Sequence, residues 1–216
     1  MADQSADIHD INVNEESAAA EAGRSRARDF ARMRRIGFLH GGAVLAALTL
    51  WGTATAWAAT SGLVIAHIVA LGNALFAGII ASAIAHEWGH FAGARLAGAI
   101  SPVMKKPARL YFMFEFDMQA NTTDQFVWLS LGGILANWFL ALALLALVPL
   151  NTLAGPLLVA VAVAQAVNVS VFEVPVVLRA RETGDHQAAL DHQLQTAGLQ
   201  RLPGIIAGAL AFFALT

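Results

Sequence analysis

Residues 62–90 read GLVIAHIVALGNALFAGIIASAIAHEWGH: 24 positions, 62–85, hold no Asp, Glu, Lys or Arg, and then three ionisable residues fall within five. A helix needs about 20 apolar residues to cross the roughly 30 Å hydrocarbon core of a bilayer. The stretch therefore predicts a membrane-spanning helix with a polar knot at one end. Similar apolar runs cover 36–59, 126–148 and 157–178, and a shorter one of 14 residues covers 203–216. The last is a re-entrant piece or a span the chain enters without completing. Only 13% of the residues are charged and 57% are hydrophobic, against about 25% charged in soluble domains. The expected fold is an all-α polytopic membrane protein of four to five transmembrane helices.

Outside the spans the chain changes character. Residues 1–23 are acidic and Ala/Ser-rich without apolar periodicity, which reads as a disordered tail. Residues 24–35 carry Arg24, Arg26, Arg28, Arg32, Arg34 and Arg35. The domain division is thus a tail, 1–35, and a membrane domain, 36–216, with its core at 62–190. Ala56–Ala58 mimics a signal-peptidase site, but the leader and the apolar core before it are both too long; a retained anchor helix is expected. Between 110 and 118, Leu110, Phe112, Phe114, Phe116 and Met118 alternate with Tyr111, Met113, Glu115 and Asp117. That period predicts a short β segment or hairpin at the membrane surface.

Charge distribution gives the orientation. All 13 Lys and Arg lie in 24–35, 95–109, 179–181 and at 201, while loops 60–61 and 149–156 contain no charged residue. With four crossings, the charged segments fall on one side. The positive-inside rule makes that side, with the amino terminus and 95–125, cytoplasmic. Net charge is −2, and no nucleic-acid partner is expected. No cysteine is present, so a metal here must use His, Asp or Glu.

His86, Glu87 and His90 fit H-E-x-x-H. On a helix, positions i and i+4 lie one above the other, so two imidazoles share one cation with Glu87 beside them as general base. The expected ion is Zn²⁺, which makes hydroxide available near neutral pH. Three ionisable groups at the end of an apolar span need compensation, since one isolated charge costs about 2.5–3.5 kcal/mol at a helix centre. The plainer reading is a helix end snorkelling into water. Gly89, Gly93, Ala94 and Gly98 add a small-residue face for close helix packing.

HEWGHFAGARLAG (86–98) resembles the H-E-x-G-H-x-x-x-A-x-x-x-G element of the site-2 protease family, polytopic zinc peptidases that cut within the membrane. Residues 133–137, GILAN, resemble that family's G-P-x-x-N, with Ile134 where proline is usual. Pro175 followed by Asp185 resembles its N-x-x-P…D-G element, with Phe172 in the asparagine position and His186 in place of glycine. The resemblance covers about 62–190 and implies that Asp185 is the third zinc ligand. Depth offers alternatives. Glu173, inside the fourth span, needs its own explanation, and His186 is adjacent to Asp185. We rank Asp185 first, Glu173 second and His186 third; Asp185 also reads simply as a helix cap.

Asn137 is expected to orient substrate or stabilise an oxyanion, or to make an ordinary interhelical hydrogen bond. His40 and His67 read as histidines bonded to a carbonyl or a neighbouring helix. The expected function is an intramembrane zinc endopeptidase acting on a transmembrane or membrane-anchored protein. The alternatives are a non-proteolytic membrane scaffold and a metal-binding protein or carrier. A carrier needs polar groups at several depths, and the outward halves of the spans hold only His67.

Overall fold

The computed structural model describes residues 4–105, 113–195 and 201–216, with backbone only for 4–22. These residues form six helices: α1 Gln4–Ser61, α2 Val64–Leu96, α3 Thr123–Leu147, α4 Ala154–Thr183, α5 His186–Gln195 and α6 Leu202–Leu215. The Gly23–Ser61 part of α1, together with α2, α3 and α4, is long and apolar enough to cross a membrane. The shortest, α3, has 25 residues, about 37 Å at 1.5 Å per residue. The 14 residues of α6 reach only about 21 Å, so α6 does not cross a bilayer on its own. Outward faces carry large apolar side chains, Phe139 at 76% and Leu147 at 80% exposure among them. In water such surfaces would aggregate; in lipid they are the solvated face. The chain is a multi-pass membrane protein.

Two sequence expectations differ from the structure. The helix α1 begins at Gln4, inside the stretch whose composition suggested an unstructured tail; Ala18–Ala20, Glu15 and Glu16 there are strong helix formers. The β segment is not formed among the described residues. Residues 100–104 and 113–117 lie antiparallel with a single bridge, Val103 to Phe114. Met104 N donates to Met113 O at 2.9 Å and Glu115 N to Pro102 O at 3.0 Å. Alternation needs a long enough partner to become a strand, and the neighbouring stretch 100–104 contains Pro102, which has no N–H for a ladder. Residues 110–112 of that expectation lie outside the described residues.

In the bundle, α4 packs against α2, α3, α5 and α6, and α2 packs against α1, α3 and α4. At the end away from the HEWGH block, alanines let the helices close. Ala66, Ala70, Ala74 and Ala77 of α2 meet Ala47, Ala54 and Ala58 of α1 and Leu158, Val159 and Ala162 of α4. At the other end the closeness comes from glycine. A Cβ on Gly89 would overlap the Gly132 carbonyl, and one on Gly93 would overlap the Trp128 carbonyl. Backbones of α2 and α3 thus touch directly, as small-xxx-small faces allow in membranes. Thr122 and Gln125 form a capping box that starts α3. Gly184, at φ 72°, ends α4 and turns the chain into α5. Phe126, Val176, Ala180 and Ala189 form a cluster that seats α5 against α3 and α4.

Candidate metal centre

The α2 register points His86 and His90 toward α3 and α4, with ring centroids 4.2 Å apart. Their Nε2 atoms lie 2.9 Å from each other. Glu173, nearly three turns before the end of α4, brings Oε1 to 3.3 Å from His86 Nε2 and 3.0 Å from His90 Nε2. The three atoms form a compact triangle and are the metal-capable group among the described residues. Ligands at 2.0–2.1 Å from a tetrahedral zinc lie about 3.3 Å apart. The triangle's edges of 2.9, 3.0 and 3.3 Å fit three corners of that tetrahedron and leave the fourth open.

Hydrogen bonding behind the rings decides what faces inward. His90 Nδ1 lies 2.8 Å from Leu129 O. A carbonyl can only accept, so Nδ1 carries the proton and Nε2 presents a lone pair. His86 Nδ1 lies 3.0 Å from the Asn137 side-chain amide, with the Gly133 carbonyl as a further partner. The Asn137 amide and the Gly133 carbonyl hold the His86 ring with Nε2 turned toward His90 and Glu173. Two imidazole Nε2 atoms and a carboxylate oxygen then converge at about 3 Å. Glu173 is 7% exposed, and its Oε2 is buried without a partner. Such a buried convergence is favourable when a cation lies among these atoms. The donor set therefore suits a borderline divalent metal such as zinc.

Gly133 makes the room. A Cβ there would stand 2.5 Å from His90 Cε1 and 2.9 Å from His86 Cε1. Asn137, one turn further along α3, is 1% exposed and also donates to Gly133 O at 3.1 Å. On the side of α2 that faces α1, Trp88 Nε1 donates to His40 Nδ1 at 3.1 Å. His40 thus bonds a neighbouring helix, as the sequence suggested. His67 lies far along α2, beside Thr152 and Thr55 in a small cavity.

The group opens onto a cavity of about 750 Å³ lined by Glu87, Phe116, Phe126, Phe172 and Val176, with Arg201 the one Lys or Arg in its wall among the described residues. Glu87 is buried, 8% exposed, on the same wall as the histidines. The 113–118 segment turns alternate residues, Phe114, Phe116 and Met118, into this space. Walls this apolar around a few ionisable groups are typical of ligand sites.

The structure assembles Glu173 with the histidines; Asp185, ranked first from the sequence, and His186 stand apart. Asp185 is exposed and accepts from Ala188 N at 2.9 Å, capping α5. His186 uses both ring nitrogens, Nε2 with Met118 O at 2.9 Å and Nδ1 with Thr123 Oγ1 at 3.2 Å, while its ring stacks on Phe126. The family spacing that favoured Asp185 does not fit the way α4 ends here. The chain turns at Gly184 into α5 instead of folding back onto α2. Sequence reading missed what Gly133 and Arg201 do, since room for a ring and the wall of a cavity are properties of packing.

No protein-family model, curated protein or solved structure matches the chain.

Proposed function

We propose that this chain is a zinc-dependent endopeptidase that cuts a membrane-embedded or membrane-anchored protein, similar in kind to the site-2 proteases. The observation that carries the reading is the convergence of His86 Nε2, His90 Nε2 and Glu173 Oε1 within 3.3 Å beside the buried Glu87. Two histidines and one glutamate with an open fourth position form a donor set used by hydrolytic zinc enzymes. In this reading Glu173, not Asp185, is the third ligand. Zinc, when bound, supplies Lewis acidity and a hydroxide source near neutral pH.

The chain's own residues do the rest. Glu87 takes the proton of the attacking water and passes it to the leaving amine. Asn137 and the Leu129 carbonyl hold the two imidazoles in orientation. The apolar wall of Phe116, Phe126 and Phe172 limits water around the scissile bond. The extended segment 113–118, with every second side chain in the cavity, offers an unwound substrate a surface to lie along. The described Lys and Arg residues of α1, α2 and α4 flank the site's end of the apolar spans, and the positive-inside rule supports a site at the cytoplasmic leaflet.

The test is cleavage of a membrane-tethered reporter by the purified chain in liposomes. Glu87→Gln is expected to keep its zinc and to lose cleavage by about 10²-fold or more. Unchanged cleavage in that variant refutes the catalytic assignment. Zinc without cleavage in the wild type would favour the non-proteolytic, metal-holding scaffold.

A further inference from the structure

A second cavity, of about 630 Å³, lies between the amino-terminal part of α1 and the loop that follows α2. Its wall holds five cations, Arg26, Arg28, Arg32, Arg95 and Lys105, and one carboxylate, Asp29. That carboxylate is already engaged: Asp29 pairs with Arg95 at 2.6 Å and accepts from Val103 N at 2.7 Å. Arg95 also donates to Ser101 O at 2.8 Å, and Arg32 donates to Val103 O at 3.3 Å. Arg26, Arg28 and Lys105 have no hydrogen-bond or ion-pair partner among the described residues. The charge in the cavity therefore exceeds what the described residues neutralise.

Its depth is fixed by its walls. Arg95 stands in the last turn of α2, and the α1 arginines immediately precede the apolar run that starts at Ile36. The cavity thus opens at the level where lipid headgroups lie. It is also a formed concavity: Ser25, Arg28, Asp29 and Arg32 share one face of α1, and Ala99–Pro102 close the opposite side.

We infer that this cavity binds a phosphate-bearing anion at the membrane interface, the headgroup phosphate of an anionic phospholipid being the source its depth favours. Arg26, Arg28 and Lys105 receive the phosphate oxygens, and Arg32 and Arg95 shape the floor. Guanidinium forks suit phosphate oxygens, and each interfacial cation adds to attraction for anionic lipid. Occupancy would bridge α1 to the loop after α2, in addition to the Asp29–Arg95 tie.

The experiment is a native mass-spectrometry titration of the detergent-solubilised full chain with a short-chain phosphatidylglycerol, the matched phosphatidylcholine, and inorganic phosphate. Arg26→Gln/Arg28→Gln is compared with Arg34→Gln/Arg35→Gln, an equal charge change outside this cavity. The expected result is preferential phosphatidylglycerol binding, weakened at least about tenfold in the first double variant and within about twofold of wild type in the second. Phosphate binding equally lost in the first variant, with no preference between the lipids, would assign the same site to a free phosphate. Equal weakening in both variants, or in neither, overturns the inference. Circular dichroism of both variants separates loss of binding from loss of fold.

Discussion

Glu173 Oε1 and His90 Nε2 stand 3.0 Å apart at the α2–α4 interface, each also within 3.3 Å of His86 Nε2. The relationship explains why a carboxylate sits inside an apolar helix. It also identifies the substitution that distinguishes the third ligand from its competitors. Glu173→Ala is expected to abolish stoichiometric zinc while the helical content stays, and Asp185→Ala is expected to retain it. Elemental analysis of the purified variants decides between them; full zinc in Glu173→Ala would remove this residue from the centre.

Asp185 has a different task, and its loss should show in stability. Its side chain caps α5 through Ala188 N, a contact of the kind whose removal costs about 1 kcal/mol. Asp185→Ala should lower the thermal midpoint slightly and increase amide exchange in α5, whereas Asp185→Asn should restore both. An Asp185→Ala variant with unchanged exchange in α5 would contradict the capping role.

Gly133→Ala places a methyl group against both imidazoles. One or both rings must turn away, so zinc affinity should fall severely although the substitution adds only one carbon. Overpacking of this sort costs about 1–3 kcal/mol. Gly52→Ala in α1, with nothing within 4 Å of the added Cβ, is the matched control and should be silent. Chelator competition measures both; wild-type affinity in Gly133→Ala would mean the rings do not occupy the described positions.

Asn137 acts through His86. Substitution with leucine removes the amide next to Nδ1 while preserving bulk, and loss of such an outer partner typically costs 10–100-fold in metal affinity. Asn137→Leu should therefore bind zinc more weakly and reach normal occupancy when zinc is raised. Unchanged affinity would leave Asn137 with interhelical packing alone.

Much of this arrangement is written in local pattern. Four apolar runs mark the four long helices, since length and hydropathy alone decide a crossing. His86 and His90 were legible because their geometry needs only one helix: i and i+4 meet whatever surrounds them. Glu173 was half legible. Its cost inside an apolar span called for a partner, but which helix supplies that partner depends on how α4 crosses α2. Spacing by family resemblance instead favoured Asp185, which lies beyond a turn whose direction Gly184 sets. Gly133 was visible only as part of a motif, because the clearance it gives the rings exists solely once α3 is docked. Within 113–118 the residues that face the cavity do alternate, yet alternation does not create a partner strand, and a single bridge formed.

The central claim is tested most directly by the zinc content of the purified wild-type chain in detergent that preserves its helices. About one zinc per chain, lost together in His86→Ala and His90→Ala, is the result this account requires. A folded wild-type chain that holds no divalent metal even after incubation with zinc would contradict it.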